Sequence, residues 1–230
     1  MLNVSVFSFL FPVHFLFPIS SAFLSFYLYF KIVFLGQAEN RTNPLHVAAK
    51  KGNIKMIELV LPYFDINSIN KFGETPLMLA AANGKEAAVR MLIQNDADPH
   101  LECSLGESVL HSAAEGGNPH ILRYLLSLNL DVNQRSGAGV TPLATAAFYG
   151  NQSAFELLLE QNADPFSKME DGYSVLHSAA TGGSVPIISK LISLGLDKNL
   201  KDPRGITPLI EATENDRYEA VQYLLSIGGE

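Results

Sequence analysis

The chain has 230 residues, of which 47% are hydrophobic and 17% charged, and its formal net charge is −7. That charge is spread without acidic or basic blocks, and no basic stripe able to neutralise a phosphate backbone is present, which sets nucleic acid aside as a partner. Cys103 is the only cysteine, so no disulfide forms within the chain, and a reducing compartment suits it.

Residues 1–36 are unlike the rest. Val4 to Phe30 contain no Lys, Arg, Asp or Glu, and Phe recurs at 7, 9, 11, 15, 17, 23, 26 and 30. About 20 apolar residues cross a bilayer as a helix, so residues 4–35 are long enough to span one. Lys31, Arg41, Lys50 and Lys51 all follow the run, which would leave the remainder of the chain on the cytosolic side. Pro12, Pro18, His14 and several serines interrupt such a helix, and a signal peptide would need a basic stretch before the apolar core. Phe, Leu, Ser and Pro also share pyrimidine-rich codons, so a translated intron end is an alternative origin. A hydrophobic leader that anchors the chain and a gene-model artefact both remain open.

From residue 40 onward the sequence repeats itself. Leu45, Leu77, Leu110, Leu143, Leu176 and Leu209 lie 32, 33, 33, 33 and 33 residues apart. Around them stand Asn43-Pro-Leu-His-Val-Ala-Ala, Thr75-Pro-Leu-Met-Leu-Ala-Ala, Ser108-Val-Leu-His-Ser-Ala-Ala, Thr141-Pro-Leu-Ala-Thr-Ala-Ala, Ser174-Val-Leu-His-Ser-Ala-Ala and Thr207-Pro-Leu-Ile-Glu-Ala-Thr. Ser and Thr accept from a helix's first free N–H groups, and Pro is tolerated at its first position, so each segment predicts a helix start. Paired alanines keep that helix thin enough for neighbours to stack. Seven residues after each leucine stand Gly52, Gly84, Gly117, Gly150, Gly183 and then Asp216, the expected left-handed helix stop. Asn53, Asn118 and Asn151 are placed to begin a second helix.

In that second helix Ile57, Val89, Leu122, Phe155, Ile188 and Val221 precede Val60-Leu61, Leu92-Ile93, Leu125-Leu126, Leu158-Leu159, Leu191-Ile192 and Leu224-Leu225 by three and four positions, which marks one buried face. A polar connection follows, holding Gly73, Gly106, Gly139, Gly172 or Gly205 two residues before the next Thr or Ser. A glycine fixed there predicts a tight hairpin. Copies three and five share one set of motifs and copies two and four another, so the duplicated unit is a pair of copies.

Repeats of this length and pattern resemble the ankyrin repeat family over residues 40–230. The resemblance implies an all-α solenoid of stacked helix-turn-helix units with hairpin fingers, in copies of about 41–70, 71–103, 104–136, 137–169, 170–202 and 203–230. It also implies a non-catalytic scaffold or adaptor that binds a protein partner along a concave groove. Alternatives are a membrane-anchored member, tethered through residues 4–35 with its repeats in the cytosol, and a substrate-adaptor subunit of a modifying enzyme complex. The expected compartment is otherwise the cytoplasm. Copy six lacks a polar capping helix, so the array is expected to continue or to dock on something.

Pattern-breaking residues at finger tips and first-helix ends are free to contact the partner. They are Lys50 and Lys51 in copy one, Lys71, Phe72, Glu74, Ala82 and Asn83 in copy two, and Leu105, Glu107 and Glu115 in copy three. Val140, Phe148, Tyr149, Asp171, Tyr173, Arg204, Ile206 and Glu214 complete the set. The aromatic residues are the expected anchors. His46, His111 and His177 occupy the family's own histidine position and lie a repeat or more apart, which suits structural hydrogen bonds rather than a metal. No zinc-spaced Cys/His cluster or phosphate-binding glycine loop occurs, so no cofactor and no catalysis are expected.

Overall fold

The computed structural model describes residues 41–230, and the proposed leader and anchor lie outside them. Six helix pairs follow in chain order: α1 Pro44–Lys51 with α2 Ile54–Val60, α3 Pro76–Ala82 with α4 Glu86–Gln94, and α5 Val109–Gly116 with α6 Pro119–Leu126. Then come α7 Pro142–Phe148 with α8 Gln152–Glu160, α9 Val175–Gly182 with α10 Val185–Ser193, and α11 Pro208–Glu214 with α12 Tyr218–Ser226. One 3₁₀ turn, Leu61–Tyr63, takes up the residue missing from copy one. No strand forms among the described residues. The nearest approach is a pair of isolated bridges, Glu102 to Ser108 and Lys168 to Ser174, within two fingers.

The helix starts are those the motifs predict. Asn43, Thr75, Ser108, Thr141, Ser174 and Thr207 are the N-caps, and Thr75 Oγ1 accepts from Met78 N at 3.2 Å. In the odd copies histidine completes the cap. Ser108 N donates to His111 Nδ1 at 3.1 Å, and His111 Nε2 donates onward to Val140 O at 3.0 Å, in the next finger. His46 reaches Glu74 O and His177 reaches Ile206 O in the same way, at 3.2 and 3.1 Å. Each ring therefore ties one copy to the finger of the next.

Packing follows from composition. Leu45, Leu77, Leu110, Leu143 and Leu176 are fully or almost fully buried, each contributing roughly 1.5–3 kcal/mol by leaving water. Leu209 is only half-buried, because nothing described packs on the far side of copy six. The alanine pairs bring first helices closer together than second helices come. In copies three and five the approach is tightest: a Cβ on Gly116 would lie 2.3 Å from Ala81 O, and one on Gly182 would lie 2.2 Å from Phe148 O. The same copies were the ones set apart by sequence.

Fingers join edge to edge. Ser104 N donates to Phe72 O, Gly137 N to Leu105 O and Glu170 N to Ala138 O, at 2.9, 2.9 and 3.2 Å. Gly73 is required twice over, by its φ of +78° and by Ser104 N, 2.4 Å from where a Cβ would stand. Asp216 keeps the left-handed backbone of the glycines it replaces, at φ +55°. For a non-glycine this costs roughly 1–2 kcal/mol. One expectation needs refining. Asn53 and Asn118 cap the second helix with their side chains, but Asn151 turns back and donates to Ala114 O and Glu115 O of the preceding copy, at 2.9 and 2.6 Å.

Candidate functional site

Fingers and first helices share one face of the array, and on it copy four differs from the others. The residue after each conserved leucine is His46, Met78, His111, His177 or Ile210, but in copy four it is Ala144. Where a large side chain would lie, a cleft of about 310 Å³ opens, lined by Val140, Ala144, Thr145, Phe148, Tyr149 and Met169 of copy four, Glu107 of copy three, and Tyr173 and Ser178 of copy five. Its floor is helix α7 and its walls are fingers.

Five of the sequence candidates, Glu107, Val140, Phe148, Tyr149 and Tyr173, come together at the cleft. Phe148 and Tyr149 end α7 side by side, rings 5.3 Å apart in a T-shaped pair, and are 47% and 51% exposed. Tyr149 stands where copies two and six have Asn83 and Asn215, whose amides donate to Leu79 O and Glu211 O of their own helices. A tyrosine cannot serve that carbonyl, so the array gives up a helix-ending bond for an exposed ring. The Tyr149 hydroxyl and the Glu115 carboxylate interact. Burial raises the Tyr149 pKa, and the Glu115 charge raises it further. Tyr173 is half-buried, its hydroxyl against Thr181 Oγ1, and burial pushes its pKa up to about 12.

The other candidates do not converge there. Lys50 and Lys51 are exposed in the last turn of α1, and Asn83 caps its own helix. Lys71 lies over the Phe72 ring at 4.8 Å, on the tip of the first finger. Glu74 is half-buried and accepts from Asn70 Nδ2 at 2.6 Å. Leu105 exposes its side chain while its carbonyl joins two fingers. Asp171 closes a turn by accepting from Tyr173 N at 3.0 Å. Arg204 is paired with Asp202 at 2.8 Å and with Glu211 at 3.6 Å.

The sequence reading missed Ala144, Thr145, Met169 and Ser178. For Ala144 a signal existed: laying the copies in register shows the one small residue in a column of large ones.

Chemistry beyond contact finds little support. The histidines are held in caps; burial lowers the pKa of His46 and His111, with hydrogen bonds to Glu74 and Val140 carbonyls opposing it. Among the described residues no three His, Cys, Asp or Glu side chains gather as a metal would need. No described helix is long and apolar enough to cross a membrane.

A family model for ankyrin repeats (three copies) matches residues 25–103, 83–169 and 163–230. The chain belongs to the ankyrin repeat family. Its repeats are of a kind that generally mediates protein–protein interaction and is typically non-catalytic.

Proposed function

We propose that the array is a non-catalytic scaffold or adaptor in the cytoplasm that grips a protein partner along its finger-and-first-helix face, centred on the cleft of copy four. The supporting observation is the conjunction at one place of a missing side chain, Ala144, with two exposed aromatic rings, Phe148 and Tyr149. Exposed aromatic residues beside a pocket are the usual anchors of a protein interface. Neither feature serves stacking.

The test fills the cleft without disturbing the fold. Ala144→Met places there the side chain that copy two carries as Met78, which is 3% exposed. Proteins captured from cell extract by the natural array should be lost from the variant while its melting curve is unchanged. Capture of the same proteins by both would remove the cleft from the interface.

The apolar run of residues 4–35 favours a second reading, in which the same surface works tethered to a membrane. Alkaline extraction of membranes from cells expressing the whole chain decides it: release into the supernatant excludes the anchor.

A further inference from the structure

The proposed binding face carries its own charge. Glu107 lines the cleft, Glu115 interacts with the hydroxyl of Tyr149, which also lines it, and Glu74 lies in the next finger along. Among the described residues none of the three is within ion-pair distance of a Lys or Arg. The Glu115 pKa is raised, chiefly by burial and further by repulsion from Glu107 and Glu74, with the Tyr149 hydroxyl and the charge of Lys50 acting the other way. Negative charge is thus gathered around an apolar, aromatic cavity and left without a counterion from the array.

A cavity of about 310 Å³ lies at the small end of the range for ligand sites, roughly 300–1,000 Å³. It suits one side chain and part of its neighbour. Phe148 and Tyr149 line the cleft with exposed rings, and Glu107 lines it with a carboxylate. A guanidinium fits both, since it stacks on aromatic faces and pairs with a carboxylate through two parallel hydrogen bonds. An ammonium offers only a point charge. An acidic side chain would meet repulsion from Glu107.

We infer that the occupant of this cleft is an arginine side chain in an extended segment of the partner, its methylene stem across Phe148 and Tyr149, its guanidinium on Glu107 and Glu115, and an adjacent apolar residue in the space above Ala144. This rests on the proposal that the face binds a polypeptide, and it adds what the polypeptide must present.

A random dodecapeptide library displayed on phage, selected on the folded array, is the probe. Peptides with an arginine beside an apolar residue should be enriched. Their affinity, measured by fluorescence anisotropy, should fall about tenfold or more in Glu107→Gln, since removing one partner of a desolvated charge pair costs at least that. It should fall with added salt and be lost in Ala144→Met. Both variants should melt as the natural array does. Enriched peptides without a cation that still require the open cleft would overturn the arginine inference and leave the proposed function standing. Peptides that bind Ala144→Met as well as the natural array would overturn both. An absence of enrichment, or equal affinity after arginine is replaced by lysine, overturns the inference.

Discussion

Ala144→His tests the claim that the cleft exists only because one side chain is missing. In copies one, three and five the imidazole at this position accepts from its N-cap residue and donates to a carbonyl 28 or 29 residues further on, namely Glu74 O, Val140 O and Ile206 O. The carbonyl at the same offset from Ala144 is Tyr173 O, which accepts from Met169 N as its counterparts accept from Asn70, Ser136 and Asp202. A histidine here therefore finds both partners in place, Thr141 and Tyr173. Two bonds at about 0.5–1.5 kcal/mol each give a gain of about 1–3 kcal/mol, and each kcal/mol raises the melting temperature of a chain of this size by about 2–4 °C. The new ring should behave as His46 and His111 do, with burial holding its pKa below the ordinary 6.5. The unfolded chain then takes up the proton first, so the gain is complete above about pH 6.5 and shrinks as pH falls, by at most about 1.4 kcal/mol per unit. Urea unfolding at pH 8 and pH 5 measures this. A variant no more stable than the natural chain at pH 8, or one whose gain is undiminished at pH 5, would refute the reasoning. The same substitution should abolish partner binding.

Other expectations follow from packing and protonation. Leu143→Ala should cost about 2–5 kcal/mol, as full burial of a leucine demands, whereas Leu209→Ala, at a half-buried site, should cost measurably less in paired urea titrations. Gly182→Ala should destabilise by about 1–3 kcal/mol through overpacking, because its methyl would press on Phe148 O. Gly205→Ala, with nothing within 4 Å of the new carbon, should cost only the strain of its positive φ. Below about pH 6.5 the natural array should lose stability as the unfolded chain protonates the equivalents of His46 and His111, and a His111→Gln variant should lose it less steeply.

What the sequence makes legible is what the stacking repeats. Leucines, capping residues, alanine pairs and glycines recur because each copy solves the same packing problem, so helix ends and buried faces can be read by period alone. Tyr149 was legible too, as the one ring in a column that elsewhere holds Lys51, Asn83, Gly116, Gly182 and Asn215. Ala144 was not, because an alanine in an alanine-rich helix is conspicuous only against the copies above and below it. Asn151 begins its helix as expected, but the partner of its side chain was not legible, because its position satisfies two geometries. Its amide can cap the helix it begins or reach the carbonyls of the copy before it, and only the spacing between copies decides in favour of Ala114 O and Glu115 O.

The two features that define the cleft each weaken the array. Ala144 forgoes the two bonds that His111 and His177 each make, one to their own N-cap and one to the following finger, and Tyr149 forgoes the amide-to-carbonyl bond that Asn83 and Asn215 make. In a solenoid, stability is close to a sum over neighbouring interfaces, so a local loss of this kind is borne by the copies on either side without altering the fold. Copy four is held from both sides: Gly182 of copy five lets that helix approach Phe148 O closely, and the Asn151 amide donates to Ala114 O and Glu115 O of copy three. An open site held by its neighbours is an arrangement expected of a recognition surface, and the gain from Ala144→His would measure directly what keeping it open costs.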